Sequence, residues 1–162
     1  MLTQHRPTDA PSRRRFVLLA ATSLAALGAG SLLRPGEANA TTEAMEAAIG
    51  QVVGERKLQD GRVKLDLPPI VENGNAVPLS VSVESPMTEA DHVKTIHIFN
   101  EKNPQPQVAV FHLGPRSGRA AVSTRVRLAD TQKIMIIAEM SDGSLWSDSM
   151  EVIVTLAACI EG

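Results

Sequence analysis

One cysteine, one tryptophan, three phenylalanines and no tyrosine are spread over 162 residues. Each scarcity excludes something. Without a second cysteine there is no C-x-x-C motif, and therefore no signature of attached haem or of an iron–sulfur cluster. No glycine-rich phosphate loop occurs. No Ser/His/Asp ordering or carboxylate pair stands out for catalysis, so the chain reads as a protein that is not an enzyme and that carries no cofactor. With aromatic residues at 2% of the sequence, a core must be built mainly from aliphatic side chains.

What is present begins with an export-type start. Ser12-Arg13-Arg14-Arg15-Phe16-Val17-Leu18 sets adjacent arginines before an apolar stretch from Phe16 to Leu33, and Ala38-Asn39-Ala40 follows in an A-x-A arrangement. Basic region, apolar region and small-residue site, in that order, describe a cleavable signal. The arginine pair with Phe16 and Leu18 behind it resembles a twin-arginine signal, which addresses a protein to export without anchoring it. A retained membrane helix is the alternative, since the stretch is nearly long enough to span. Thr22, Ser23, Gly28, Gly30 and Ser31 weaken that reading, and Arg34-Pro35 ends the stretch abruptly. The expectation is a signal over residues 1–40, a periplasmic product and no membrane contact after cleavage.

Removing those 40 residues leaves 122, enough for one compact domain. The signal takes five of the 16 basic and two of the 18 acidic residues, which leaves 11 against 16, a net of −5. An acidic domain is a poor electrostatic match to nucleic acid. Twin-arginine export moves folded cargo, and a chain without a cofactor motif is then expected to travel with a partner protein.

Within the domain, Thr41 or Thr42 can cap a helix whose apolar positions are Met45, Ala48, Ile49, Val52 and Val53, a single helical stripe, with Gly54 as a stop. Beyond it the period changes to two. Val77, Leu79, Val81 and Val83 alternate with polar residues and proline, as do Val122, Thr124, Val126 and Leu128, and Met150, Val152, Val154 and Leu156. Residues 93–99, 108–113 and 134–140 are apolar on both faces, as central strands are. Ser141-Asp142-Gly143-Ser144 reads as a tight hairpin turn. Pro104 and Pro106 mark one longer loop, and Gly114-Pro115-Arg116-Ser117-Gly118 another. About seven strands with short loops and no crossover helix predict an all-β, antiparallel sandwich of immunoglobulin-like type behind a short N-terminal helix.

Cys159 lies three or four residues past the last predicted strand. Extended chain covers at most ~3.3–3.6 Å per residue, so the sulfur can swing roughly 10–13 Å from the fold. Three readings stand: a thiol carried on an arm into foreign active sites, a thiol that forms an intermolecular disulfide, or a small buried hydrophobe. Glu161 and the terminal carboxylate disfavour the thiolate, and no cation in the tail lowers its pKa. Such a thiol is not self-activating and suits a passive carrier. Of the histidines, His5 belongs to the signal, and His92, His97 and His112 lack metal-ligand spacing. They read as exposed strand residues, with His97 near His112 if their strands pair across the proline loop. Arg116, Arg119, Arg125 and Arg127 form the one basic concentration, either a solvated sheet face or a docking surface for an acidic partner.

These residues together resemble the SoxY family of thiosulfate-oxidation carrier proteins. The likeness includes the twin-arginine start, the short helix from Thr42 to Gly54, and the stretch "PRSGRAAVSTRVRLADTQKIMIIAEMSDGSLW" followed by "EVIVTLAACIEG". The resemblance implies an immunoglobulin-like sandwich paired with a SoxZ-like subunit, and a sulfur substrate held covalently on Cys159. It implies transient docking to a haem protein that couples thiosulfate, a hydrolase that releases sulfate and a dehydrogenase that oxidises what remains. The family arm is typically Gly-Gly-Cys-Gly-Gly. Here Ala157, Ala158, Ile160, Glu161 and Gly162 surround the cysteine, and alanine lacks glycine's access to positive φ, so this arm is stiffer, bulkier and more charged. The expected layout is a signal over 1–40, helix plus sandwich over 41–155 and the arm over 156–162. The competing reading is a periplasmic β-sandwich binding or assembly module with an intermolecular disulfide. Metal delivery would need the histidines to converge with the tail.

Overall fold

The computed structural model describes residues 41–156; the expected signal over 1–40 and residues 157–162 lie outside them. Helix α1 runs over Thr42–Val53. Thr41 sits in extended backbone, and its hydroxyl accepts from the Ala44 amide at 3.2 Å, which satisfies one of the free N–H groups of the first turn. Gly54 ends the helix at φ +57, with its amide on the Gly50 carbonyl. Arg56 then folds back. Its guanidinium donates to the Val52 and Val53 carbonyls at 2.6 and 3.3 Å and reaches Glu139 at 3.5 Å, so one cation caps the helix and ties it to a strand.

Nine strands follow: β1 (Leu58–Asp60), β2 (Val63–Asp66), β3 (Ile70–Val71), β4 (Val77–Val83), β5 (Val93–Asn100), β6 (Gln107–His112), β7 (Ala121–Val126), β8 (Gln132–Met140) and β9 (Leu145–Val154). The larger sheet has the order β1-β9-β8-β5-β6, with β3 also on β9; the smaller is β2-β4-β7. The β-sandwich with a short helix before it is the expected fold class. The strand count, two pairings and the place of β6 differ from the sequence expectation, for β6, read as a central strand, is the outermost of its sheet. The three short strands between Leu58 and Val71 have too little alternation to be seen, and β1 and β3 pair parallel to β9. All other pairs are antiparallel.

Register explains which alternating residues point inward. Val77, Leu79 and Val81 stand opposite Val126, Thr124 and Val122, and these positions face the larger sheet. From that sheet Ile96, Ile98, Ile134, Ile136 and Met140 meet them, each at most 1% exposed. Burying an aliphatic side chain of this size contributes about 1.5–3 kcal/mol, which is how a chain poor in aromatics still forms a core. Asn100 is an exception within it: fully buried, its side-chain oxygen and nitrogen meet no protein partner among the described residues. The opposite face of the larger sheet carries a second cluster of Phe99, Ile137 and Leu145, and the α1 stripe lands there through Met45, with Ala48, Ile49, Val52 and Val53 half-buried around it.

The hairpin between β8 and β9 is the turn predicted from Asp142-Gly143. Met140 and Ser144 close it at 3.0 Å, the Asp142 carboxylate accepts from the Ser144 amide at 2.9 Å, and Gly143 sits at φ +83. A Cβ at Gly143 would meet nothing within 4 Å, so only backbone strain opposes a side chain there. Gly143→Ala is therefore expected to lower stability by about 1–2 kcal/mol, and Gly143→Asn by less, because asparagine tolerates this conformation. Urea unfolding of the two variants measures the difference.

Candidate functional site

The root of the C-terminal segment is built by residues far away in sequence. Thr155 donates its amide to the Val71 carbonyl at 2.9 Å and its hydroxyl to the Glu72 carbonyl at 3.3 Å. The Leu156 carbonyl accepts from the Gly74 amide at 3.0 Å, and the Gly74 carbonyl accepts from the Leu128 amide at 2.8 Å. On the other side, the Val154 amide donates to the Thr131 hydroxyl at 3.0 Å. The chain is thus held firmly through Leu156. Ile70 and Ile153, partners in the β3–β9 register, are 61% and 50% exposed, and Leu156 is 62% exposed. An apolar ledge therefore borders the point from which the segment leaves. Sequence reasoning missed this clamp. The signal available was Pro68-Pro69 before Ile70-Val71, a pattern of short edge strands.

Cys159 and its neighbours Ala157, Ala158, Ile160, Glu161 and Gly162 lie outside the described residues. The other expected residues are all placed. His97 on β5 and His112 on β6 do come onto adjacent strands, since Thr95 stands opposite His112 and His97 opposite Val110. His97 is not a fully exposed strand residue as expected. It is half-buried, stacked on Phe99 at 6.2 Å, with its Nδ1 3.0 Å from the Gln107 amide nitrogen. His92, also expected as an exposed strand residue, lies just before β5 and is half-buried, with its ring meeting the Thr88 carbonyl at 3.0 Å. No three His, Cys, Asp or Glu side chains converge as metal ligands among the described residues.

Charge on this outer face centres on Glu139. Burial pushes its carboxyl up, but Lys94 at 3.1 Å and Arg56 at 3.5 Å outweigh burial and hold it below the usual carboxylate range. Burial also keeps His97 below the ordinary histidine value of 6.5; His112 and Arg56 add to this and Glu139 opposes it. A base with a depressed folded pKa leaves the unfolded chain binding more protons, so stability falls as pH drops below about 6.5. In His97→Gln, which removes the titrating ring, urea midpoints measured between pH 7 and pH 5.5 are expected to vary less than in the parent.

Arg116 lies in a short 3-10 turn (Pro115–Ser117), Arg119 in the loop after it, Arg125 on β7 and Arg127 just past β7. All four are exposed, and the four ion pairs among the described residues use Arg56, Arg62, Lys94 and Lys102 instead. The strand that carries Arg125 is the outermost of the smaller sheet. A groove of about 350 Å³ also runs along α1, bordered by Met45, Ile49, Val53, Leu58 and Met135. Thr42 and Glu101 line it too, and the Thr42 hydroxyl donates to the Glu101 carboxylate at 2.6 Å.

Residues 49–159 match the family described as Sulfur oxidation protein SoxY. Among solved structures, that of the sulfur carrier protein SoxY from Chlorobium limicola f thiosulfatophilum superposes with a TM-score of 0.59 at 30% identity, covering 72% of this chain and 100% of that one. Superoxide reductases share the fold alone. The neelaredoxin from Ignicoccus hospitalis gives a TM-score of 0.52 at 18% identity over 58% of this chain and 80% of that one. The superoxide reductase from Nanoarchaeum equitans gives 0.50 at 13% identity over 60% and 99%. Among curated proteins, none matches in sequence. A family match that spans well over half of the chain and reaches Cys159, on the fold of the Chlorobium carrier, makes this chain a member of the SoxY family of sulfur-oxidation proteins.

Proposed function

We propose that the chain is a periplasmic sulfur carrier, exported by the twin-arginine route, that holds thiosulfate-derived sulfur on Cys159 as a heterodimer with a SoxZ-like subunit. The observation that supports this best is the family match extending to Cys159, the one thiol in the sequence. The clamp on Thr155 and Leu156 suits the role. It gives the arm a firm root, and three residues of extended chain then let Cys159 reach at most about 10 Å beyond Leu156.

The chemistry asked of the thiol is the formation of one S–S bond. Thiosulfate joins Cys159 with loss of the thiol proton and two electrons, which leave to a haem-containing partner, and the product is a cysteine S-thiosulfonate. Water then attacks the terminal sulfonate group in a hydrolase, releasing sulfate and a proton and leaving a persulfide. A dehydrogenase partner then oxidises the outer sulfur of the persulfide, taking up three waters and releasing seven protons and six electrons to leave a cysteine S-sulfonate, and a second hydrolysis releases sulfate and a proton and returns the thiol. No step requires a base or metal from this chain. In this reading the exposed arginines 116, 119, 125 and 127 dock acidic partners during these visits.

Intact-mass analysis of the chain purified from cells grown on thiosulfate tests the reading. Sulfur, sulfonate or thiosulfonate adducts confined to the peptide containing Cys159 are expected. A reducible disulfide dimer as the sole derivative would establish the assembly-module reading instead.

A further inference from the structure

From Asn103 to Ala129 the sequence contains no aspartate or glutamate, yet it holds four arginines and His112. The rest of the described chain carries seven basic and 15 acidic residues. The fold gathers this acid-free stretch into one flank. β6 and β7 are the outermost strands of their sheets and are joined by residues 113–120. They lie on the same side, because β2, at the far edge of the small sheet, faces β9: the Leu65 amide donates to the Asp148 carboxylate at 2.8 Å.

The edge at β7 is open. The Val83 amide bonds the Ala120 carbonyl at 2.8 Å, so in the β4–β7 register the hydrogen-bonded positions of β7 are Val122, Thr124 and Val126. The backbone groups of Ala121, Ser123 and Arg125 therefore point away from β4, along the free edge. Natural proteins blunt such edges with proline, bulges, short strands or charged side chains, and of these devices β7 has only Arg125. β2 is blunted in this way, with four residues that include Lys64 and Asp66 and with Pro68-Pro69 behind them. β6 follows Pro104 and Pro106 and meets β5 through a register shift. β7 has six residues, no proline and an unbroken register.

The structure assigns β7 as an edge that accepts an added strand from an acidic segment of a partner polypeptide. Main-chain bonds to Ala121, Ser123 and Arg125 supply the pairing, and the arginines select the charge of the incoming strand. A second copy of this chain is a poor occupant, since β7 against β7 sets arginine against arginine. The assignment does not depend on thiol chemistry, so its test uses Cys159→Ser protein and can fail while the carrier reading stands.

The probe is a capped nine-residue peptide alternating glutamate and valine, with a lysine-for-glutamate peptide as its counterpart. Amide hydrogen exchange is followed by NMR in the full chain lacking its signal. The glutamate peptide is expected to slow exchange at Ala121, Ser123 and Arg125, with affinity that weakens as salt rises. Ser123→Pro removes one outward N–H without touching the β4 ladder and is expected to cost about tenfold or more in affinity. Arg125→Glu combined with Arg127→Glu is expected to do the same, and it decides the matter if the proline variant does not fold. The assignment is overturned if the glutamate peptide protects none of these amides or if the lysine peptide binds equally well. It is also overturned if the edge amides are already protected without peptide in a concentration-dependent way, which would mark a second copy as the occupant.

Discussion

Cys159→Ser is expected to reduce thiosulfate-dependent turnover in a reconstituted sulfur-oxidation system to the level seen without the chain. A hydroxyl cannot form the S–S bond on which every later intermediate depends, and no other thiol exists in the sequence to replace it. On the carrier reading the same variant should unfold within about 0.5 kcal/mol of the parent, because a thiol that must enter other proteins' active sites is not packed into its own core. Turnover that survives the substitution would sink the carrier reading. Turnover lost together with stability would mean that residue 159 is structural, and circular dichroism of the variant separates the two.

Phe99→Ala carries the largest expected effect on folding, about 3–5 kcal/mol. The ring is fully buried between the larger sheet and α1, with Met45, Ile137 and Leu145 around it, and it stacks on His97. Truncation leaves a void in the small cluster that seats the helix, and a cost of that size is a large part of the total stability of an ordinary domain. Phe111 packs at the margin of the inter-sheet core and is only half-buried, so Phe111→Ala should cost less. Urea denaturation of both variants gives the comparison. A Phe99→Ala cost below about 1 kcal/mol would show that α1 is not held on the sheet.

Legibility followed the range of the interactions. α1 was readable from its stripe and from Thr41 and Gly54, because a helix satisfies its backbone within a few residues and announces its ends. β4, β7 and the second half of β9 were readable because inward and outward positions alternate along them, and β8 because it is apolar on both faces, as a strand covered on both sides must be. The turn at Gly143 was readable because its backbone admits few residues. β1 and β3 were not, since Leu58–Asp60 and Ile70–Val71 are too short to show a period and find their partners on β9, more than 80 positions away. His97 shows the same limit: its place in a strand was legible, but its half-buried state comes from the stacked Phe99 ring and from Gln107 across the pair.

By itself, the order of residues determined the local elements, the aliphatic character of the core and the solitary thiol, since composition and short-range sterics act before any distant contact forms. Tertiary structure alone decided that segment 69–74 clamps Leu156, and that the strand carrying Arg125 is an open edge of its sheet. Such proximity depends on strand order and register. Those are set by burying many apolar positions at once, a sum over the whole domain that no short stretch of sequence displays.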